Sequence, residues 1–239
     1  MFLRRRKAPS LKYYPPYSEL MKENPNLKMQ SVSQGEYLNR VDNQSHGICG
    51  GLSTIHIISQ LSAKKGEIIN PFESEALLDK GYKIQYKKGH GANRAFMQKL
   101  FDEMQDMKIP VKNANKKAKI VNCDKFQYEE TEKSLKRKIE KTSQDKNSRG
   151  TYIGARIRRN PKTGKPVSQN ARHALSITMQ YHEDYLYCTG MDSNFFFAQA
   201  KGKMACDELA EKISSALKSY NSTDIRHISV TMNNTLKAN

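Results

Sequence analysis

The 239-residue sequence contains no tryptophan and only four cysteines, and no two of those cysteines form a C-x-x-C pair. Cys49, Cys123, Cys188 and Cys206 are far apart in the chain. This scattering excludes a disulfide framework and a structural zinc site, and it indicates a reducing compartment. A chain of this length can bury a core without disulfides, so it is long enough for an enzyme.

Long apolar runs are also missing. The basic start MFLRRRKAPS is followed by prolines and polar residues, which excludes the apolar core of a secretory signal peptide. No stretch approaches the ~18 apolar residues of a membrane span. Residues 1–33 are rich in basic residues and proline and lack periodicity. We therefore expect a flexible basic leader there, a candidate export signal, followed by one folded domain over residues 34–239.

Acidic residues are few relative to basic ones: 24 Asp and Glu face 41 Lys and Arg, which gives a net charge of +17. The excess lies mostly between Lys80 and Lys165, where 24 basic residues accompany nine acidic ones. Such a field favours anionic partners, namely nucleic acid, an acidic protein or an anionic membrane surface. Aromatic residues are sparse in this basic region, which disfavours base stacking and hence nucleic acid.

The stretch from Asn43 to Leu61, NQSHGICGGLSTIHIISQL, places Cys49 where a loop becomes a helix. Apolar residues follow it at helical spacing. A helix start favours a thiolate and can lower the pKa of a cysteine from about 8.5 to roughly 3.5–7.5 when a charged histidine is near. Glycines on both sides would admit a substrate backbone. Cys49 is thus a candidate nucleophile, the alternative being a small buried cysteine in a core helix.

Periodicity predicts the remaining elements. We expect the Cys49 helix to end near Lys64 or Lys65, and antiparallel strands to form a meander. The predicted helices are 92–107, a solvated helix within the Lys-rich region 112–149, and Cys206–Tyr220; the predicted strands are 151–157, 173–180, 184–191, 195–199 and 225–232.

A nucleophilic cysteine needs a base and a group that orients the base. His173 opens a strand directly after a polar loop. If Tyr181 to Asp184 form the tight turn, the residue opposite His173 is Asp192, within reach of the imidazole. The alternative is a surface pair across a hairpin. For the oxyanion hole, the Cys49 N–H and the side-chain amide of Gln44, or alternatively of Asn43, are the candidate donors.

Three motifs in this order, GICGGLS at Cys49, RHALSI at His173 and MDSNFFF at Asp192, resemble the YopT/AvrPphB type of papain-like cysteine protease, a family of bacterial effectors. The sequence departs from the family pattern at Ser193, where a proline is usual, and at the aromatic run after Asn194, where a glycine is usual. The tryptophan that is common in the family's cysteine helix is absent.

The resemblance implies an α+β papain-like fold, in which a helical lobe carrying the nucleophile packs on an antiparallel sheet carrying the histidine and the aspartate. Residues 34–239 would then be the catalytic domain. Cys49 would be the nucleophile, His173 the base and acid, Asp192 the residue that orients it, and Gln44 the oxyanion donor. No cofactor and no metal are implied.

The expected function is peptide-bond hydrolysis by acyl transfer through a thioester, in an effector that cleaves a host protein. The alternatives are a papain-like acyltransferase, deamidase or transglutaminase, and, from another class, a basic binding module for nucleic acid or membrane without catalysis. We expect a monomer that is secreted without a cleavable signal peptide into the host cytosol or to the inner face of a host membrane. Its substrate would be a host protein, and a membrane-associated one is a candidate. An anionic membrane surface is a further candidate partner, and no nucleic acid partner is expected.

Overall fold

The computed structural model of the protein describes residues 25–41, 47–63, 66–88 and 116–234. Within these ranges, seven β-strands and five α-helices form an α+β fold. The strands are β1 (Leu27–Ser31), β2 (Lys116–Phe126), β3 (Arg149–Arg156), β4 (Arg172–His182), β5 (Tyr185–Asp192), β6 (Phe196–Lys201) and β7 (Thr223–Asn234). The helices are α1 (Gln34–Val41), α2 (Cys49–Ser62), α3 (Glu75–Lys88), α4 (Tyr128–Asp145) and α5 (Lys203–Ser219), with a 3₁₀ turn at Pro71–Glu73.

All seven strands belong to one antiparallel sheet with the order β1-β6-β5-β4-β3-β7-β2. The predicted meander is confirmed, because β3, β4, β5 and β6 are neighbours in both the chain and the sheet. The predicted last strand is confirmed as part of β7, which pairs with β3 on one side and β2 on the other. The sheet therefore holds the start of β4 and the end of β5 side by side.

Two parts of the sequence prediction need correction, and a third falls outside the described residues. Residues Leu27–Ser31, which we had placed in the leader, pair with β6 and form an edge of the sheet. Strand β2 and helix α3 had not been predicted, since neither shows a clear apolar period. The predicted helix over 92–107 lies outside the described residues.

Helices cover both faces of the sheet, so the fold has three layers. The side chains of β4 alternate: Leu175 and Ile177 pack with α4 and α5, while Ala174 packs with α2. Helix α2 also contacts α3 on its outer side, which explains why nearly all of its residues are buried. In the described part of the chain, no helix is both long and apolar enough to cross a membrane.

The Lys-rich region contains the predicted helix, α4. Its apolar anchors are Leu135 and Ile139, which are fully buried in the cluster shared with α5 and the sheet. The basic residues occupy the remaining faces, as expected of a helix with one apolar stripe.

Glycines at the start of α2 allow this helix and α3 to approach each other closely. A Cβ on Gly51 would lie 2.0 Å from the backbone oxygen of Gly81 in α3, and a Cβ on Gly50 would lie 2.7 Å from the Oε1 of Gln85. We had assigned these glycines to substrate approach. The structure instead shows that they let α3 pack against the start of α2.

We expect Gly51→Ala to lower the free energy of unfolding by about 1–3 kcal/mol, because the added methyl group would force the α2 and α3 backbones apart. Urea unfolding measures the change. Gly35→Ala in α1 is the control, since its Cβ would meet only the Ser33 side chain, at 3.3 Å. Equal stability of Gly51→Ala and wild type would contradict the packing account.

Candidate active site

Cys49 is the first residue of α2, as the sequence predicts. The loop before it turns at Gly47, whose φ of +96° suits glycine. The Ile48 side chain does not cap the helix; instead Gln85 Oε1 of α3 accepts a hydrogen bond from the Gly51 N–H at 2.8 Å. The thiol therefore lies at the positive end of α2, and Gln85 of α3 holds that end of the helix in place.

His173 and Asp192 form a buried pair. The distance from His173 Nε2 to Asp192 Oδ1 is 2.9 Å, and the side chains are 2% and 0% exposed. The alternative of a surface pair is therefore contradicted. The imidazole is also hydrogen-bonded to the Cys49 side chain. Because Nε2 faces the carboxylate, Nδ1 is the ring nitrogen left for the thiol.

The predicted register that led to this pair was wrong by two residues. The turn is formed by Glu183 and Asp184, both with positive φ, so that His182 pairs with Tyr185 and Leu175 stands opposite Asp192. A slip of two residues keeps each side chain on its face of the sheet, whereas a slip of one would separate them. His173 thus reaches Asp192 along the diagonal.

The surroundings shift the pKa values of both members of the thiol–imidazole pair. Burial opposes a charged His173, but the charge and hydrogen bond of Asp192, together with Cys49, raise the pKa of His173 to about 10. Burial by itself would raise the pKa of Cys49. This effect is outweighed by the hydrogen bond and charge of His173 and by a backbone hydrogen bond with Ala174, so the pKa of Cys49 falls below its ordinary value. The pair therefore favours a thiolate beside an imidazolium.

Two side chains that the sequence analysis did not identify, Tyr220 and Asn194, surround the pair. The Tyr220 hydroxyl, just after α5, lies 3.1 Å from His173 Nε2 and 3.2 Å from Asp192 Oδ1. The Asn194 side chain donates to that hydroxyl at 3.1 Å, and its backbone N–H donates to Asp192 Oδ1 at 2.9 Å. Asp192 Oδ1 is thus surrounded by three donors, while Oδ2 has no partner among the described residues.

Gln34 links this network to the nucleophile. Its Oε1 accepts from the Ile48 N–H and its Nε2 donates to Asn194 Oδ1, each at 2.5 Å. One buried amide therefore joins the residue before Cys49 to the turn after Asp192. Asn194 could have been suspected from the D-x-N motif, but neither Gln34 nor Tyr220 has a sequence signal, since both reach the site only through the fold.

Gln44 and Asn43, the predicted oxyanion donors, lie outside the described residues, as do His46 and His90. The Gln34 side chain is close to the Cys49 loop, but its amide is already hydrogen-bonded to Ile48 and Asn194. We therefore assign it a structural role and not that of an oxyanion donor.

Other histidines have structural roles. His56 is fully buried in α2, its two ring nitrogens lie 2.8 Å from the hydroxyls of Ser176 and Thr189, and burial lowers its pKa to about 3. Burial, helped by the charge of Lys138, also lowers the pKa of His227. Among the residues that the structure describes, no group of three or more His, Cys, Asp or Glu side chains could hold a metal ion.

No protein-family model matches the sequence, and no curated protein matches it. Among solved structures, the crystal structure of the Pseudomonas avirulence protein AvrPphB is similar to this chain. The two are 14% identical, the match covers 84% of this chain and 95% of that one, and the TM-score is 0.44. A likeness of this degree does not show a shared family or activity.

The shifted pKa values predict how Cys49 responds to pH. At pH 6, below the ordinary cysteine pKa of about 8.5, the lowered pKa gives Cys49 a larger thiolate fraction than an ordinary thiol has. Cys49 should therefore react with iodoacetamide faster than Cys123, although Cys123 is more exposed. Buried Cys188 and Cys206 should react more slowly still. Mass spectrometry of the alkylated peptides measures the four rates, and equal rates would contradict the ion pair.

Tyr220→Phe tests the network around the pair. The variant keeps the ring but removes the hydroxyl, and we expect the alkylation rate of Cys49 at pH 6 to fall roughly 3- to 10-fold, the usual worth of one hydrogen bond. Tyr185→Phe, at a half-exposed tyrosine at the opposite end of β5 from Asp192, should leave the rate unchanged. An unchanged rate in Tyr220→Phe would show that the hydroxyl does not position His173.

Proposed function

We propose that the protein is a papain-like cysteine peptidase with Cys49 as nucleophile, His173 as base and acid, and Asp192 as the residue that orients His173. One observation carries the proposal: a single buried imidazole is hydrogen-bonded both to a thiol at a helix start and to a buried carboxylate. This is the arrangement that activates a cysteine, with each group holding the next in its reactive form.

The first half-reaction would form a thioester. The Cys49 thiolate attacks the carbonyl carbon of the scissile amide, a C–S bond forms, and the carbonyl electron pair moves to oxygen. His173 donates its proton to the amide nitrogen, the C–N bond breaks and the amine leaves. Asp192 keeps the imidazole oriented throughout, because His173 Nε2 remains bonded to it.

The second half-reaction would restore the enzyme. Neutral His173 takes a proton from water while the water oxygen attacks the thioester carbon. The C–S bond breaks, the acid leaves, and the thiolate and imidazolium form again. The negative oxygen of each tetrahedral intermediate would be stabilised by the Cys49 N–H at the start of α2, with Gln44, or alternatively Asn43, as the predicted second donor.

An acyltransferase, deamidase or transglutaminase would use the same thioester and differ only in what donates or accepts the acyl group. A binding module without catalysis is in keeping with the net charge of +17, but it would not require a buried cysteine, histidine and aspartate in contact. The host-protein substrate and secretion into a host cell as a bacterial effector stay predictions from the resemblance. The anionic membrane stays a prediction from the charge, and the monomeric state stays a prediction as well.

We expect Cys49→Ala to fold as wild type does and to lose all activity, because only the sulfur can form the thioester. A thiol-directed activity probe, followed by mass spectrometry of peptides cleaved from a synthetic library, compares the two proteins. Labelling of Cys49 without any cleavage would favour an alternative acyl transfer, and absence of selective labelling would favour the binding module.

Asp192→Asn should lower peptide cleavage by between roughly 10-fold and 10⁴-fold, since the amide can present an N–H donor in place of the oxygen acceptor and so favour the wrong tautomer of the imidazole. Asp184→Asn is the matched control: it lies in the exposed β4–β5 turn, where its φ of +64° is one that asparagine tolerates. If Asp184 proved essential and Asp192 dispensable, the assignment of the third residue would be wrong.

A further inference from the structure

A cavity of about 180 Å³ lies between the β3–β4 loop and the turn after Asp192. Its apolar lining residues include Ile157, Val167 and Phe195, and its polar ones include Lys162, Asn194 and Tyr220. A space of this size holds one amino-acid side chain. The cavity is therefore a candidate subsite for a single residue of a substrate.

The loop on one side of the cavity is held in place by the end of α5. The backbone N–H groups of Arg158 and Arg159 both donate to the Tyr220 carbonyl at 3.1 Å, and the Lys162 N–H donates to Asn160 Oδ1 at 2.9 Å. The loop wall thus has a defined position relative to Tyr220, which itself contacts His173.

The cavity adjoins the side of the imidazole that faces away from the thiol. Tyr220 and Asn194 line it, and both contact the His173–Asp192 pair on its Nε2 side. In a cysteine peptidase the histidine gives its proton to the leaving amine, so the chain on the leaving-group side passes over the imidazole. The residues that follow the scissile bond would therefore reach this cavity.

The charge at the cavity is positive. The Lys162 ammonium lies 5.0 Å from the centroid of the Phe195 ring, half-buried, and burial lowers the pKa of Lys162 while the charges of Asp192 and Glu36 oppose that shift. The Oδ1 atom of Asp192 is already engaged by His173, Asn194 and Tyr220. From Arg156 to Arg172 the chain carries six basic residues and no acidic one.

We propose that this cavity is the subsite for the leaving-group side of a substrate polypeptide, and that it takes an acidic side chain bound by Lys162. The inference rests on the proposed peptidase function. Three features match an acidic side chain: a partly desolvated ammonium group, a loop whose charged residues are all basic, and a space of one side chain beside Tyr220, which contacts the imidazole. An aliphatic or aromatic side chain against Phe195 is the rival occupant.

The test uses a synthetic peptide library randomised over eight positions, with the cleaved bonds read by mass spectrometry. For the wild-type protein we expect Asp and Glu to be enriched roughly 10- to 100-fold over Asn and Gln within the first three residues after the cleaved bond, the range for a hydrogen bond to a charged group. Lys162→Gln should lose the enrichment, and Lys162→Glu should replace it with a preference for Lys and Arg.

Lys165→Glu is the matched control, because it changes the net charge of the same loop equally at an exposed residue outside the cavity lining. It should keep the acidic preference and label at Cys49 like wild type. Enrichment of aliphatic or aromatic residues, no enrichment, or equal loss in Lys165→Glu would overturn the subsite alone. Absence of any Cys49-dependent cleavage would overturn the proposed function and the subsite with it.

Discussion

The hydrogen bond between His173 Nε2 and Asp192 Oδ1 is the interaction on which the site depends. A carboxylate without exposed surface is costly unless donors surround it. The β4–β5 pairing brings the two side chains to one face, the turn after β5 supplies the Asn194 N–H, and the end of α5 supplies the Tyr220 hydroxyl. Sheet, turn and helix end therefore have to be in place together before the imidazole has one orientation.

The second constraint is the placement of the thiol against that imidazole. Helix α2 lies between the sheet and α3, and the close contact of Gly51 with Gly81 fixes where the helix starts. Gln34 then ties Ile48 to Asn194, so the loop of the nucleophile and the turn of the aspartate are joined by one buried side chain. The low pKa of Cys49 follows from this placement, since burial alone would raise it.

Local features of the sequence predict much of the fold and of the candidate site. Alternation of apolar residues located β3 to β7, and the glycine-framed cysteine located the start of α2. The pairing of His173 with Asp192 was found although the register was two residues off, because an even slip preserves the face. Gln34 and Tyr220 could not be predicted, since their contacts join segments more than 150 and about 50 residues apart respectively, and nothing local marks them. Strand β2 was not predicted, because its lysines interrupt the alternation of apolar and polar residues along the strand.

The central claim is that His173 is an imidazolium paired with the Cys49 thiolate at neutral pH. Nitrogen-15 NMR of the histidine side chains tests it directly, with His56 and His227, whose pKa values are lowered by burial, as neutral internal references. We predict that at pH 7 both ring nitrogens of His173 carry a proton in the wild type, and that Cys49→Ala lowers the pKa of His173 because the thiolate's contribution is removed. A neutral His173 at pH 7 in the wild type, or a pKa that Cys49→Ala leaves unchanged, would contradict the account.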